Sequence, residues 1–263
     1  MSLDLASTNA KIERGYEHLQ ALHSEVVTWV QRYPYGLRHD VQDEGRKHVG
    51  VLEVYRPPDS ARFGLLIGDC AQDFRASLDH LVYAVASANL SEADLAAEED
   101  RLAFPITTTP KKWEGALTRG LLKGVSGGVL AEIDGKQPYH TANPTETVVY
   151  ALHWLNNRDK HRVLHAVAAF PQLATIDFIP ELPGPNEGFV APPPYEHGTE
   201  VFWARSAEPC PDVQVKADIV VEIRVSEAPI AEDIRELLLK IGQTVQRIVA
   251  NVAKAHEADT AAH

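Results

Sequence analysis

Cysteine is nearly absent: Cys70 and Cys210 are the two in a chain of 263 residues. Two thiols so far apart make no disulfide framework, and no Cys-x-x-Cys pair offers a structural zinc or redox motif. No apolar run is long enough to span a bilayer. The opening residues, Met1-Ser2-Leu3-Asp4, lack the basic-then-apolar pattern of a signal peptide. These absences set the expectation of a cytoplasmic protein with no membrane partner. Positive charge is also scarce, with 25 Lys and Arg against 37 Asp and Glu, for a net charge of -12. Such a balance argues against a surface built for non-specific nucleic-acid binding, while leaving room for a local basic groove. There is no G-x-S-x-G elbow, and the Gly124, Gly127, Gly128 set lacks a preceding strand and the Gly-Lys-Ser/Thr ending of a phosphate loop. Cys70 and Cys210 are read as lacking a neighbouring histidine, so a nucleophile triad is not expected. No internal repeat and no clean linker interrupt residues 1–263, which favours a single domain.

What remains is ordinary for a soluble globular chain, at 44% hydrophobic and 24% charged residues. Its length is enough to bury a sizeable core. Hydrophobic periodicity predicts helices over about 3–31, 60–89, 144–170 and 229–257, and β elements over about 35–55 and 174–225. The fold class is therefore α+β: a helical bundle of long helices with a small antiparallel β section. In 60–89 the stripe is Phe74, Leu78, Leu81 and Val85. Asp43-Glu44-Gly45 is the turn of a hairpin, and His39 and His48 read as its surface residues. Pro and Gly crowd residues 180–198, which reads as a long loop. The last helix carries Leu237, Leu238, Ile241, Val245 and Val252 at helical spacing, as a bundle helix or the interface of a homodimer.

The densest ionisable cluster is Asn156-Asn157-Arg158-Asp159-Lys160-His161-Arg162, with His165 one turn after His161. Asn143-Pro144-Thr145-Glu146 predicts the start of its helix and Phe170-Pro171 the end. At about 100° per residue, Asp159 falls on the stripe of Val148, Leu152 and Leu155. A carboxylate on an apolar face needs a partner, and Arg162 is one candidate. A second cluster, Arg75-Ala76-Ser77-Leu78-Asp79-His80, lies on the 60–89 helix. Arg75 and Asp79 are one turn apart and suited to pairing. Arg75 and His80 flank the stripe about 140° apart, so a second helix has to close over it before both can meet one small ligand.

Taken together, these motifs resemble a widespread family of uncharacterised bacterial proteins. The ordered set is Leu66-Ile67-Gly68-Asp69, Arg75 to Leu81, Phe104-Pro105-Ile106, Gln137-Pro138-Tyr139 and Leu155 to Arg162. That resemblance carries no activity over. The chain also resembles the HEPN nucleases, whose signature is Arg, four to six residues, then His. Arg75 to His80 and Arg158 to His165 both fit the spacing. Asp159 fits the polar residue that follows the Arg in that family, and Ala76 does not.

Three functions follow. The first is a HEPN-like, metal-independent ribonuclease without a cofactor, its partner RNA at a local basic site. His80 or His165 would take the 2′-hydroxyl proton and Arg75 or Arg158 would clamp the phosphate. Asp79, Asp159 and His161 complete the candidate catalytic set, and Asn157, Lys160 and Arg162 would hold substrate. The resemblance implies a site completed by a dimer. The second is a metal or small-molecule site inside a helical bundle, using Asp79, His80, Asp159, His161 and His165. The third is an interaction or regulatory module in which the Asp–Arg pairs are structural.

Overall fold

The computed structural model describes residues 3–161, 167–184, 187–226 and 228–262, with residues 159–161 and 167 described only by their place in an element. The chain is mixed α+β. Its helices are α1 (Ala6–Val30), α2 (Ser60–Asn89), α3 (Glu92–Glu98), α4 (Pro110–Thr118), α5 (Gly127–Asp134), α6 (Val148–His161) and α7 (Ile234–Ala261). The strands are β1 (Tyr35–Gln42), β2 (Lys47–Val54), β3 (Val167–Ile179), β4 (Glu187–Val190), β5 (Glu200–Arg205) and β6 (Gln214–Val225). Two compact units result. One comprises Met1–His23, Ala61–Ala166 and Val225–His263, and the other Ser24–Ser60 and Val167–Arg224.

The first unit is helical. Phe74, Leu78, Leu81 and Val85 of α2 are all fully buried, as their spacing predicts. Phe74 is the meeting point of three helices. Tyr16 of α1 packs edge-on against it at 5.3 Å. Gly15 of α1 and Gly242 of α7 let it in, since a Cβ at either would stand 2.6 or 2.8 Å from its ring. The apolar stripe of α7 is buried within this unit against α5 and α6. Helix α6 is shorter than periodicity predicts. Pro144–Glu146 is a separate 3-10 turn, and Thr147 rather than Asn143 caps the helix, its Oγ1 accepting the Tyr150 N–H at 3.2 Å. At the other end, Val167 to Phe170 belong to β3, not to the helix. Aromatic and apolar residues there suit a strand, and Phe170 lies under the Arg224 guanidinium of β6 at 5.0 Å. Pro171 is tolerated because, among the described residues, β3 pairs with β6 alone.

The second unit holds two small sheets, β1-β2-β5-β4 and β3-β6. The predicted turn is found at Asp43–Gly45, where Asp43, Glu44 and Gly45 all have positive φ. The 180–198 segment is less irregular than its Pro content suggests, since β4 lies within it and pairs with β5. In β6, Val221 and Ile223 are buried while Val220 is exposed, in line with the period-two pattern. Gly50 of β2 pairs with Phe202 of β5, and the register shifts just after it. A Cβ at Gly50 would sit 2.0 Å from the Phe202 ring. The ring belongs to the core around Leu52, Tyr195 and Val201 and has nowhere to retreat. Gly50→Ala is therefore expected to cost about 2–3 kcal/mol in urea unfolding, an overpacking effect. A loss below about 0.5 kcal/mol, within the range of ordinary surface substitutions, would mean that the ring repacks freely.

Candidate functional site

The Arg75–His80 stretch, Phe104-Pro105 and Gln137 come together in the helical unit. Arg75 donates from Nη2 to the Phe104 carbonyl at 2.7 Å, and Asp79 Oδ1 accepts the Phe104 N–H at 2.8 Å. One residue of the 102–107 segment is thus gripped at both its backbone groups. Arg75 Nη1 also stands 2.8 Å from Asp79 Oδ1, off a hydrogen-bonding angle, so that contact is electrostatic. The Arg75 side chain is 14% exposed. A few residues on, Gln137 fastens the same segment. Its Nε2 donates to the carbonyls of Pro105 (2.9 Å) and Ile133 (3.1 Å). Its Oε1 accepts from the Thr107 N–H (2.9 Å) and Thr107 Oγ1 (3.1 Å). All four hydrogen-bonding positions of this buried amide are used. Tyr139 donates to Asp134. Its phenol is pushed up to about 12, first by burial and then by that hydrogen bond and the charge of Asp134.

These ties hold Leu102 at the rim of a cavity of about 460 Å³. The first turn of α1 supplies Ser7 and Thr8, preceded by Asp4, and α2 supplies Asp79, His80, Tyr83, Ala84 and Ser87. His80, Tyr83, Ala84 and Ser87 share one helical face because they recur at three, four and seven residues. Asp4 caps α1, its Oδ1 accepting the Ala6 N–H at 3.0 Å. Ser7 Oγ lies 2.7 Å from His80 Nδ1. That contact occupies one ring nitrogen and leaves Nε2 for a ligand. Thr8 lines the same cavity, is 1% exposed, and its Oγ1 has no hydrogen-bond partner among the described residues. A buried hydroxyl left so costs on the order of 1–3 kcal/mol.

Of the residues expected from sequence, Asp79 and His80 meet at the cavity, while Arg75 stands behind it and holds Asp79 in place. Asn157 and Arg158 of α6 do not line it. Asn157 Nδ2 contacts the His153 ring at 2.9 Å, and Arg158 lies over Trp154 at 5.4 Å. The side chains of Asp159, Lys160 and His161, and Arg162 and His165 altogether, lie outside the described residues. Sequence reasoning missed Ser7, Thr8, Tyr83 and Ser87. The α2 pair was legible as a polar edge recurring from His80. Ser7 and Thr8 carried no signal beyond their place at a helix start.

Among the described residues, no group of three His, Cys, Asp or Glu side chains is placed to hold a metal ion. No described helix is long and apolar enough to cross a membrane. No protein-family model matches the chain, and no curated protein or solved structure matches it either.

Proposed function

We propose that the cavity beside the start of α1 is a metal-independent acid–base site for a small, hydroxyl-bearing ligand, with His80 as the proton acceptor. The observation that carries this is the pair of Ser7 on His80 and the unpartnered Thr8 hydroxyl in one cavity. If the Ser7 oxygen accepts from Nδ1–H, Nε2 is the basic nitrogen and is fixed in orientation. Thr8 offers a buried donor and acceptor for the ligand. The described lining includes Asp4 and Asp79 and no Lys or Arg, so a neutral ligand suits it better than a phosphate. This takes the long helices α1, α2 and α7 as a bundle that hosts the site.

Ribonuclease chemistry is the second reading, favoured by His80 lying in the cavity five residues after Arg75. A ribose 2′-hydroxyl is the kind of proton donor His80 would serve. The phosphate clamp would then come from a residue other than Arg75, which is engaged with Asp79 and Phe104. A non-catalytic module is the third, favoured by that same structural use of Arg75. Its homodimer would employ the outer face of α7, where Leu239 is exposed.

Short RNAs incubated with the protein in EDTA, and a panel of ribonucleosides followed by saturation-transfer NMR, separate the three. His80→Gln is expected to lower any turnover about 100-fold, the usual scale of one acid–base group, with the melting temperature unchanged. Thr8→Val is expected to weaken nucleoside binding. Cleavage by the parent and not by His80→Gln would select the ribonuclease. Nucleoside binding without cleavage would select the small-molecule site. Neither result in the parent would sink both and leave the interaction module.

A further inference from the structure

His48 and Cys210 lie far apart in sequence and side by side in the β unit. His48 Nε2 is 3.2 Å from Cys210 Sγ, and His48 Nδ1 is 3.0 Å from His39 Nε2. This corrects two expectations: His48 is 0% exposed rather than a surface residue, and Cys210 does have a histidine beside it. The placement follows from strand geometry. Val41 pairs with His48 and His39 with Gly50, so His39 and His48 are diagonal neighbours on one face. Their rings stack at 5.2 Å with 22° between planes. The tight turn brings in the thiol, since the Gly45 carbonyl accepts the Cys210 N–H at 2.8 Å. Gly45 has φ +88°, and a Cβ there would meet Pro211 at 3.0 Å. Ser206 Oγ is 3.1 Å from Sγ and donates to the Glu208 carbonyl at 2.6 Å. Leu182, Ala204 and Val213 form an apolar cluster against which Cys210 packs.

We propose that Cys210, His48 and His39 form a thiol–imidazole–imidazole relay that makes Cys210 a nucleophile toward small α,β-unsaturated carbonyl compounds. Three features of the geometry support it. Cys210 is partly exposed, unlike the fully buried Cys70. A base is in hydrogen-bonding contact with the nucleophile, and a third group orients the base. The apolar collar suits a carbon electrophile. In the reaction the Sγ–C bond forms as the C=C pair moves onto the carbonyl to give an enolate. The thiol proton passes to His48 Nε2, and the His48 Nδ1 proton passes to His39 Nε2. The enolate carbon then takes a proton from water and His39 returns one to water. The net change is addition of S–H across the double bond, with no oxidant, reductant or leaving group.

The second imidazole has a physical purpose. Burial, and then the neighbouring His39, lower the pKa of His48, so it is a poor place to keep a positive charge. Burial also lowers His39, but the Asp40 carboxylate acts in the opposite sense there. The relay carries the charge out of the buried ring towards that carboxylate.

N-ethylmaleimide labelling of the folded full chain, read by peptide mass spectrometry, tests the relay. Cys70 is an internal control: it is fully buried, its thiol donates to the Gly15 carbonyl at 3.2 Å, and burial pushes its pKa well up. Cys210 is expected to react while Cys70 reacts only after unfolding in guanidinium. His48→Gln is expected to slow Cys210 by about tenfold or more, with His39→Gln slowing it less, as fits a base and its positioning residue. The parent rate is expected to fall in D2O, and that isotope effect to shrink in both variants. His39 is only half-buried, so its variant keeps the test open if His48→Gln fails to fold. Equal rates in the parent and the folded variants, or no labelling of Cys210 in the folded parent, would overturn the proposal.

Discussion

Gln137→Leu is expected to lower the unfolding free energy by about 3–4 kcal/mol, among the larger effects a single substitution produces. Leucine matches the amide in size, so the loss is one of hydrogen bonds rather than volume. The Ile133 carbonyl keeps a bond from the Lys136 N–H at 3.2 Å. The Pro105 carbonyl and both Thr107 donors, the N–H and Oγ1, lose the partner that Gln137 gave them. Each group buried without a partner costs on the order of 1–3 kcal/mol, partly relieved where the segment shifts towards water. A urea midpoint that falls with the slope unchanged is the expected signature. A change below about 1 kcal/mol would mean that the 102–107 segment rearranges at little cost, and the cavity wall at Leu102 would then be soft.

Arg75→Met is expected to cost about 2–3 kcal/mol, because it strips the Phe104 carbonyl of its donor and leaves Asp79 without its counter-charge. Asp79→Asn is expected to cost less, about 1 kcal/mol, since an amide oxygen still accepts the Phe104 N–H. The double variant is expected to cost less than the sum of the two, because each single change removes the same contact. Additive losses would show that Arg75 and Asp79 hold Phe104 independently. These stability losses also bear on any activity. An Arg75 variant that loses activity together with stability reports on the scaffold, whereas His80→Gln at unchanged melting temperature reports on the chemistry.

Much of this was legible in the chain before folding. The α2 stripe of Phe74, Leu78, Leu81 and Val85 follows from helical spacing, and all four residues are fully buried. Asp43-Glu44-Gly45 was readable as a turn because short polar residues and glycine accept positive φ. The Arg75–Asp79 pair was readable from one helical turn. By contrast, the end of α6 was misjudged at Val167 to Phe170, because an apolar stretch after a helix has no period of its own until a partner strand fixes it. Here β6 does so, with Arg224 over Phe170.

Sequence by itself determined the α+β class, the hairpin, the buried face of α2 and the turn-spaced pair upon it, since each depends on neighbours a few residues away. Tertiary structure alone decided that Phe104 is the residue Arg75 and Asp79 hold, that Ser7 meets His80, and that His48 lies against Cys210. Those contacts join positions 29, 25, 73 and 162 residues apart. No local periodicity encodes such pairs. They exist only once packing has paid the entropy of bringing distant segments together.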